Sequence, residues 1–201
     1  MAEVVVKLRG FIPFGIGLLV ALAGGWFAFP RAMYRSSEQP IQFSHKTHTS
    51  DKVGMSCQDC HSLSADGKFS GIPRLETCTP CHTEAQGTSA EEKRLVKEYV
   101  SKNREIPWLV YARQPENVYF SHSPHIKLAG IKCERCHGPH GTSDRLRSYE
   151  QNRISTYARD VEGYSLVKLN AADWEQGMKM NDCSHCHQQR GVQESCLTCH
   201  K

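Results

Sequence analysis

Five copies of one short cysteine motif constrain this chain more than any other feature. Its ten cysteines all lie in Cys-x-x-Cys pairs, and a histidine directly follows each pair. The pairs are Cys57 and Cys60, Cys78 and Cys81, Cys133 and Cys136, Cys183 and Cys186, and Cys196 and Cys199, followed by His61, His82, His137, His187 and His200. Cys-x-x-Cys-His is the attachment signature of c-type haem, in which two thiols join the vinyl groups and the histidine binds the iron. The sequence therefore predicts five covalently attached haems.

Three other uses of cysteine pairs fit the chain less well. A zinc ribbon needs two pairs for each tetrahedral site and requires no histidine at a fixed offset. A disulfide framework does not require that histidine either. A thioredoxin-like motif occurs once, beside a βαβ pattern. Five matches that use every cysteine favour haem attachment.

Six histidines remain for the second axial position of the haems, and four of them form a repeat. Phe-Ser-His-x-x-His stands at 43–48 and again at 120–125, each time ahead of a haem motif. Histidines three residues apart lie on one face of a helical turn, so each segment can serve two neighbouring haems. Five haems with two imidazoles each leave one histidine over. The six are His45, His48, His122, His125, His140 and His185.

The stretches FSHKTH before CQDCH and FSHSPH before CERCH resemble the class III cytochromes, the c3 and triheme c7 group. In that family the first histidine of the pair is the distal ligand of the first haem, and the second reaches another haem nearby. The resemblance implies four ligand pairs, which are His45 with His61, His48 with His82, His122 with His137, and His125 with His187. For the last haem, on Cys196 and Cys199, His140 is the first choice and His185 the alternative. A sixth haem without a Cys-x-x-Cys-His site is left open, with His185 as its spare ligand.

The N-terminus predicts a membrane anchor. Residues 11–30 carry no charge over twenty positions. At ~1.5 Å per residue a helix of that length spans about 30 Å, the thickness of a bilayer core. A cleaved secretory signal is the alternative, but the length of the apolar run favours a retained anchor. Because c-type haem is attached outside the cytoplasmic membrane, we expect a single-pass protein with its N-terminus inside and its haem domain in the periplasm.

Little sequence is left to build an apolar core. Residues 36–201 divided among five haems give about 33 residues for each, too few for a conventional interior. We therefore expect a multihaem cytochrome fold of c3/c7-like modules, with the haems as its core, short α-helices, loops and little β-structure. The expected division is an anchor (1–35), a diheme module (36–110) and a triheme module (111–201).

Local patterns predict two helices and one loop around the haem motifs. One helix covers residues 89–103, with Ser89 at the N-cap and Glu92 completing a capping box. The other begins at Asn170 and runs towards the fourth haem motif. Residues 71–82, which contain Cys78 and Cys81, are expected to form a loop at the second haem motif.

Electron transfer is the function that this ligand set predicts. Two imidazoles on each iron leave no open position for a substrate, and axial histidine in place of methionine favours low reduction potentials. Residues 36–201 carry 21 basic and 20 acidic side chains, which does not resemble the basic stripe of a nucleic-acid binder.

The whole chain, with its anchor, FSHxxH pairs and five haem motifs, resembles the cytochrome subunits of quinone-linked complexes, the menaquinone reductase Qrc and the related alternative complex III. That resemblance implies four protein partners besides membrane lipid. They are an integral membrane quinone-binding subunit, an iron–sulfur subunit, a molybdopterin-oxidoreductase-like subunit, and a soluble cytochrome c3 as electron donor. The alternative is a quinol dehydrogenase of the NapC/NrfH type, in which electrons leave quinol for a periplasmic reductase.

Overall fold

The fold consists of short helices joined by long loops. A computed structural model of the protein describes residues 2–68, 70–162 and 178–200. The α-helices are α1 (Ala2–Ala23), α2 (Phe29–Ala32), α3 (His45–His48), α4 (Cys57–Cys60), α5 (Leu75–Cys78), α6 (Ala90–Leu95), α7 (Glu134–His137), α8 (Arg159–Glu162), α9 (Met180–Gln189) and α10 (Cys196–Cys199). Three π-helical turns (Gly24–Ala28, Val96–Val100, Pro124–Leu128) and one 3-10 turn (His140–Thr142) complete the helical segments of the described residues.

The predicted scarcity of β-structure is confirmed. The described ranges hold two four-residue strands, β1 (Tyr34–Ser37) and β2 (Tyr149–Asn152). They pair antiparallel, with Tyr34 opposite Asn152 and Ser37 opposite Tyr149. This ribbon joins the segment that follows the N-terminal helix to the segment that follows the third haem motif.

The N-terminal helix exposes its apolar side chains. The stretch Phe11–Ala28 has a mean hydropathy of 1.9, and none of it is buried against the rest of the protein. Trp26 is 78% exposed and Phe11 is 71% exposed. By length and composition this helix could cross a membrane.

One small apolar cluster lies beside the second haem motif. It consists of Ile41, Leu75, Leu95, Tyr99 and Ile106, with Cys78, Val100 and Trp108 packed against it. No side chain in the described ranges is less than 2% exposed. The scarcity of buried apolar residues agrees with the expectation that the polypeptide alone supplies little core.

The helix predicted over residues 89–103 is present but shorter, and its capping box was wrong. It runs through α6 and continues as the π-helical turn to Val100. Ser89 occupies the N-cap position, yet its side chain makes no capping hydrogen bond. The reason is that the Glu92 carboxylate turns away from the helix start and accepts the backbone N–H groups of Gln86 and Gly87, at 2.7 and 2.9 Å. The start of the other predicted helix, at Asn170, lies outside the described residues.

The loop predicted over residues 71–82 was wrong in part, and this changes the placement of Cys81. Helix α5 forms within that stretch because the buried Leu75 packs in the apolar cluster. Pro80 has no N–H to donate to the carbonyl four residues earlier, so the helix ends at Cys78. Cys81 therefore lies in the turn that follows the helix, where its N–H donates to the Cys78 carbonyl at 3.3 Å.

Hydrogen bonds cross between the two expected modules. The Lys46 N–H donates to the Ser143 carbonyl at 3.1 Å, and the Leu146 N–H donates to the Gln42 side chain at 2.9 Å. A third bond of this kind runs from the Ser123 N–H to the Gly67 carbonyl, at 2.9 Å. The division at residue 110 stays a prediction.

Two isoleucines provide a matched test of the apolar cluster. Ile41 is 3% exposed and Ile154 is 76% exposed. Ile41→Ala should lower the free energy of unfolding by about 2–4 kcal/mol, because it leaves a cavity in a small cluster. Ile154→Ala should change it by less than about 0.5 kcal/mol. Guanidinium titration of the haem-loaded protein measures both, and equal losses would contradict the assignment of the core.

Candidate functional site

Eight histidines form four facing pairs, and each pair joins one FSHxxH histidine to one histidine of a cysteine motif. The distances between ring centres are 6.5 Å for His45–His61, 6.2 Å for His48–His82, 6.3 Å for His122–His137 and 6.0 Å for His125–His187. Three of the pairs are within 21° of parallel, and the His48–His82 pair is inclined at 53°. The structure thus brings together the same four pairs that the resemblance to class III cytochromes implied.

Acceptor groups hold the Nδ1 side of these imidazoles. Nδ1 lies within hydrogen-bond distance of a backbone carbonyl in His48 (Ser44), His61 (Gly71), His122 (Lys68) and His125 (Ser121), at 2.7 to 3.1 Å. A carbonyl oxygen can only accept, so Nδ1 carries the proton and Nε2 keeps its lone pair. An imidazole in this tautomer is oriented to bind a metal through Nε2.

The phenylalanine contacts of the FSHxxH segments are alike in both copies, whereas the serine cap is seen in the first. Each phenyl ring contacts both histidines of its own segment, with ring centres 4.9 and 4.3 Å away for Phe43 and 4.9 Å away for both contacts of Phe120. Ser44 caps α3 by accepting the Thr47 N–H at 3.1 Å. Sequence reasoning gave the phenylalanine and serine no role, although their repetition in both segments was the available signal.

Short helical turns carry the cysteine motifs. In four of the five, the histidine N–H donates to the carbonyl of the first cysteine, at 2.8 to 3.0 Å, in His61, His82, His137 and His200. The fifth, His187, lies within α9. None of the ten cysteines, all of which are described, forms a disulfide; they are Cys57, Cys60, Cys78, Cys81, Cys133, Cys136, Cys183, Cys186, Cys196 and Cys199. Each motif therefore presents two thiols and one imidazole from a short stretch of backbone.

Cys81 and Cys186 differ from their counterparts in how they are placed. Cys81 is exposed and follows the end of α5, whereas the second cysteine of the first motif, Cys60, is the last residue of α4. Cys186 is half-buried and lies in the middle of α9, the ten-residue helix that holds the whole fourth motif. The spacing of the motif predicts none of these differences, because the flanking residues decide where each helix begins and ends. The attachment of haem through all ten cysteines, Cys81 and Cys186 included, stays a prediction.

Burial affects the thiols of the third and fourth motifs. Desolvation, followed by the neighbouring Cys186, raises the pKa of the Cys136 thiol. Desolvation, followed by Cys136, raises the pKa of Cys183 to about 11. Both thiols are therefore harder to ionise than an exposed cysteine, and each is influenced by a cysteine of the other motif.

Comparison with known proteins agrees with this arrangement. The model of the class III cytochrome c family matches residues 28–106. The menaquinone reductase multiheme cytochrome c subunit of Nitratidesulfovibrio vulgaris (Hildenborough) is 40% identical over 208 aligned residues, which cover 96% of this chain and 90% of that protein.

The chain belongs to this family of multihaem cytochromes c. Membership makes it an electron-transport protein that binds haem c covalently. It also confirms the class III fold that the FSHxxH and CxxCH segments predicted.

The facing pairs of this cytochrome fit haem iron. An imidazole nitrogen binds a first-row metal at about 2.0 Å and lies about 1.1 Å from its ring centre, so two imidazoles on opposite sides of one ion have centres about 6 Å apart. The four observed separations match that distance.

Burial keeps one of these ligands in the form that binds a metal. Desolvation, followed by the neighbouring His140, His61 and His48, lowers the pKa of His45 to about 4. Its Nδ1 lies 3.1 Å from the Ser143 hydroxyl. A neutral imidazole is required for coordination, so this environment favours ligation at neutral pH.

Three predicted ligands lie outside the four facing pairs. The His140 ring centre is 6.4 Å from that of His45, at 46°. The His185 Nε2 lies 2.9 Å from the side-chain nitrogen of Gln189, on the exposed side of α9. His200 forms an isolated β-bridge with Val118, just before the second FSHxxH segment. The second ligand of the last haem stays a prediction.

Two glutamates contact haem-motif histidines, and sequence reasoning missed both roles. The Glu194 carboxylate accepts from Nδ1 of His187 and from the Ser184 hydroxyl, and these bonds hold its pKa below the usual range. Glu92 lies 3.0 Å from Nδ1 of His82, although the ring N–H is not aligned with it. No short motif marks these contacts, since each glutamate lies seven or ten residues from its histidine.

The first facing pair can be tested by exchanging its ligand. His45→Met should leave five covalent haems attached and raise the reduction potential of one haem by on the order of 0.1 V, because axial methionine stabilises ferrous iron. Lys46→Met is the control, because the Lys46 side chain is exposed and forms a surface ion pair with Asp144, and the substitution keeps its backbone N–H. Mass spectrometry and redox titration measure the two effects. Unchanged potentials in the His45 variant would contradict its role as a ligand.

Proposed function

We propose that this cytochrome binds five haems c and relays electrons as a membrane-anchored subunit of a menaquinone reductase. The observation that carries the proposal is the set of four histidine pairs. In each pair the two ring centres are separated by the distance expected for two imidazoles bound to one iron. Each pair binds one iron, with His61, His82, His137 and His187 on the side of the cysteine attachment. His200 binds the fifth iron, with His140 opposite it and His185 as the alternative.

The ten cysteines hold the haems through thioether bonds, two for each haem. The exposed Cys81 and the helical Cys186 take the same role as the other eight, because each lies three residues after its partner thiol and directly before the ligand histidine. A bond at each thiol fixes the haem edge beside the histidine that binds its iron.

Complete ligation favours electron relay over catalysis at the iron. When bound, each haem supplies a one-electron couple. Each pair of imidazoles would hold one iron from both sides, which would leave no site at which a substrate could bind the iron. Phe43 and Phe120 pack against the imidazoles and restrict their rotation, which limits structural change when the charge on the iron changes.

The N-terminal helix supports anchoring in the cytoplasmic membrane. Its apolar side chains are exposed along Phe11–Ala28, and no part of the described chain covers them. We infer a single span with the N-terminus in the cytoplasm and the haem domain in the periplasm. The β1–β2 ribbon begins two residues after α2 and holds the domain close to the membrane surface.

The proposed partners follow from the related protein, which is a subunit of a menaquinone reductase. By analogy, an integral membrane subunit binds the quinone, and iron–sulfur and molybdopterin-oxidoreductase-like subunits complete the complex. A soluble cytochrome c3 is the proposed donor, and charge supports it. Residues 36–201 have a formal charge of +1. With all propionates of five haems ionised, the charge would be about −9 when every iron is ferrous and about −4 when every iron is ferric.

The relay proposal predicts that quinone reduction requires the other subunits of the complex. The isolated cytochrome should be fully reduced by a low-potential donor yet reduce no menaquinone analogue, because the quinone-binding site lies in the proposed integral membrane subunit. Quinone reduction should appear in the intact complex. Spectrophotometric turnover assays on both preparations measure this. Sustained quinone reduction or quinol oxidation by the isolated chain would favour a quinol dehydrogenase of the NapC/NrfH type instead.

Electrostatic docking predicts a salt-dependent rate. Reduction by a basic cytochrome c3 should slow several-fold as the Debye length falls from about 30 Å at 0.01 M to about 8 Å at 0.15 M salt. Stopped-flow absorbance measures this rate, with a small neutral reductant as the control. A rate that is flat or rises with salt would contradict charge-guided docking.

A further inference from the structure

The histidines of the cysteine motifs differ in what holds their Nδ1 atom. The His61 Nδ1 is held by the carbonyl of Gly71, a neutral acceptor. The His187 Nδ1 is held by the carboxylate of Glu194, which is a charged acceptor. The Glu92 carboxylate approaches the His82 Nδ1 in a similar position.

Glu194 is fixed in place and partly removed from water. It lies in the segment between the fourth and fifth haem motifs, where Oε1 accepts from His187 and Oε2 accepts from the Ser184 hydroxyl at 2.8 Å. The side chains of His187 and Glu194 are 22% and 24% exposed. Both carboxylate oxygens are therefore occupied, and partial burial reduces the screening of the charge by solvent.

Glu92 is held by a different set of contacts. The backbone N–H groups of Gln86 and Gly87 donate to its two oxygens, and its side chain is 14% exposed. Nδ1 of His82 lies 3.0 Å from Oε1, but its N–H does not point at that oxygen. The charge is close to the imidazole without an aligned hydrogen bond.

We propose that Glu194 and Glu92 lower the reduction potentials of the haems bound by His187 and His82. A carboxylate on the far ring nitrogen makes the imidazole a stronger electron donor to the metal. The ferric state carries one more positive charge than the ferrous state, so a nearby negative charge stabilises it preferentially. This role rests on the proposed ligation of iron by these two histidines.

The two sites should differ in strength. Glu194 acts through a directed hydrogen bond as well as through its charge, whereas Glu92 acts mainly through its charge. Both haems therefore have lower reduction potentials than a haem whose histidine is held by a carbonyl, as at His61. Electrons that enter the chain one at a time therefore reside preferentially at the sites without a carboxylate.

Glu194→Gln is the cleanest test because it removes charge and keeps shape. The glutamine oxygen can still accept from His187, and its amide can donate to the Ser184 oxygen. One haem should then show a tenfold or greater increase in the ratio of reduced to oxidised iron at a fixed solution potential, which equals about 59 mV for a one-electron couple. Glu92→Gln should shift a different haem in the same direction by a smaller factor.

Glu84→Gln is the matched control. Glu84 is exposed and lies two residues from His82, so its loss removes the same charge without a contact to an imidazole. Potentiometric titration followed by EPR resolves the low-spin signals, and haem content and melting temperature verify assembly. If Glu92→Gln fails to assemble because the Gly87 contact is lost, Glu194→Gln decides the claim.

The outcomes separate this role from ligation itself. Unchanged potentials in the Glu194 variant, with bis-histidine spectra in variant and parent, would overturn the tuning role and leave ligation intact. A high-spin or His–Met spectrum at the affected haem of the unmodified protein would overturn both. An equal shift in the Glu84 variant would also overturn the tuning role, because net charge alone would then explain the effect.

Discussion

The fold depends on holding imidazoles in facing pairs about 6 Å apart. A chain with so few buried apolar residues cannot fix that spacing through a conventional core. It relies instead on local contacts that occur in both FSHxxH segments. In each segment a phenylalanine packs against two histidines, and a backbone carbonyl lies within hydrogen-bond distance of the Nδ1 atom of the second histidine. These contacts set both the tautomer and the direction of each ligand. The bound haems would then supply the interior that the polypeptide alone does not provide.

The two FSHxxH segments also depend on each other's surroundings. The Nδ1 atom of His45 lies within hydrogen-bond distance of the hydroxyl of Ser143, a residue in the segment after the third haem motif. The Nδ1 atom of His122 lies within hydrogen-bond distance of the carbonyl of Lys68, a residue in the segment after the first haem motif. Each half of the chain therefore orients a histidine of the other half. These two contacts connect the surroundings of the first and third cysteine motifs. The β1–β2 ribbon adds a second link and ties both halves to the N-terminal helix.

Much of this site could be predicted because its chemistry depends on spacing within the chain. Cys-x-x-Cys-His fits one turn, and two histidines three residues apart share a face. The resemblance to class III cytochromes implied the four histidine pairs that the structure brings together, and their ligation of iron stays a prediction. The contacts of Glu92 and Glu194 could not be predicted in this way, because loop conformation decides which acceptor reaches Nδ1. The capping box at Ser89 was wrong for the same reason, since Glu92 has a stronger set of donors in the preceding loop. The second ligand opposite His200 depends on the course of the long segments between the haem motifs, and no periodicity in the sequence predicts that course.

The central claim is that every iron in this cytochrome has an imidazole on both sides. EPR of the oxidised, purified protein, combined with a haem count before and after acid–acetone extraction, tests it most directly. The account predicts five haems that resist extraction and only low-spin bis-histidine signals. A high-spin ferric signal from a stoichiometric fraction of the haem, or fewer than five retained haems, would contradict it.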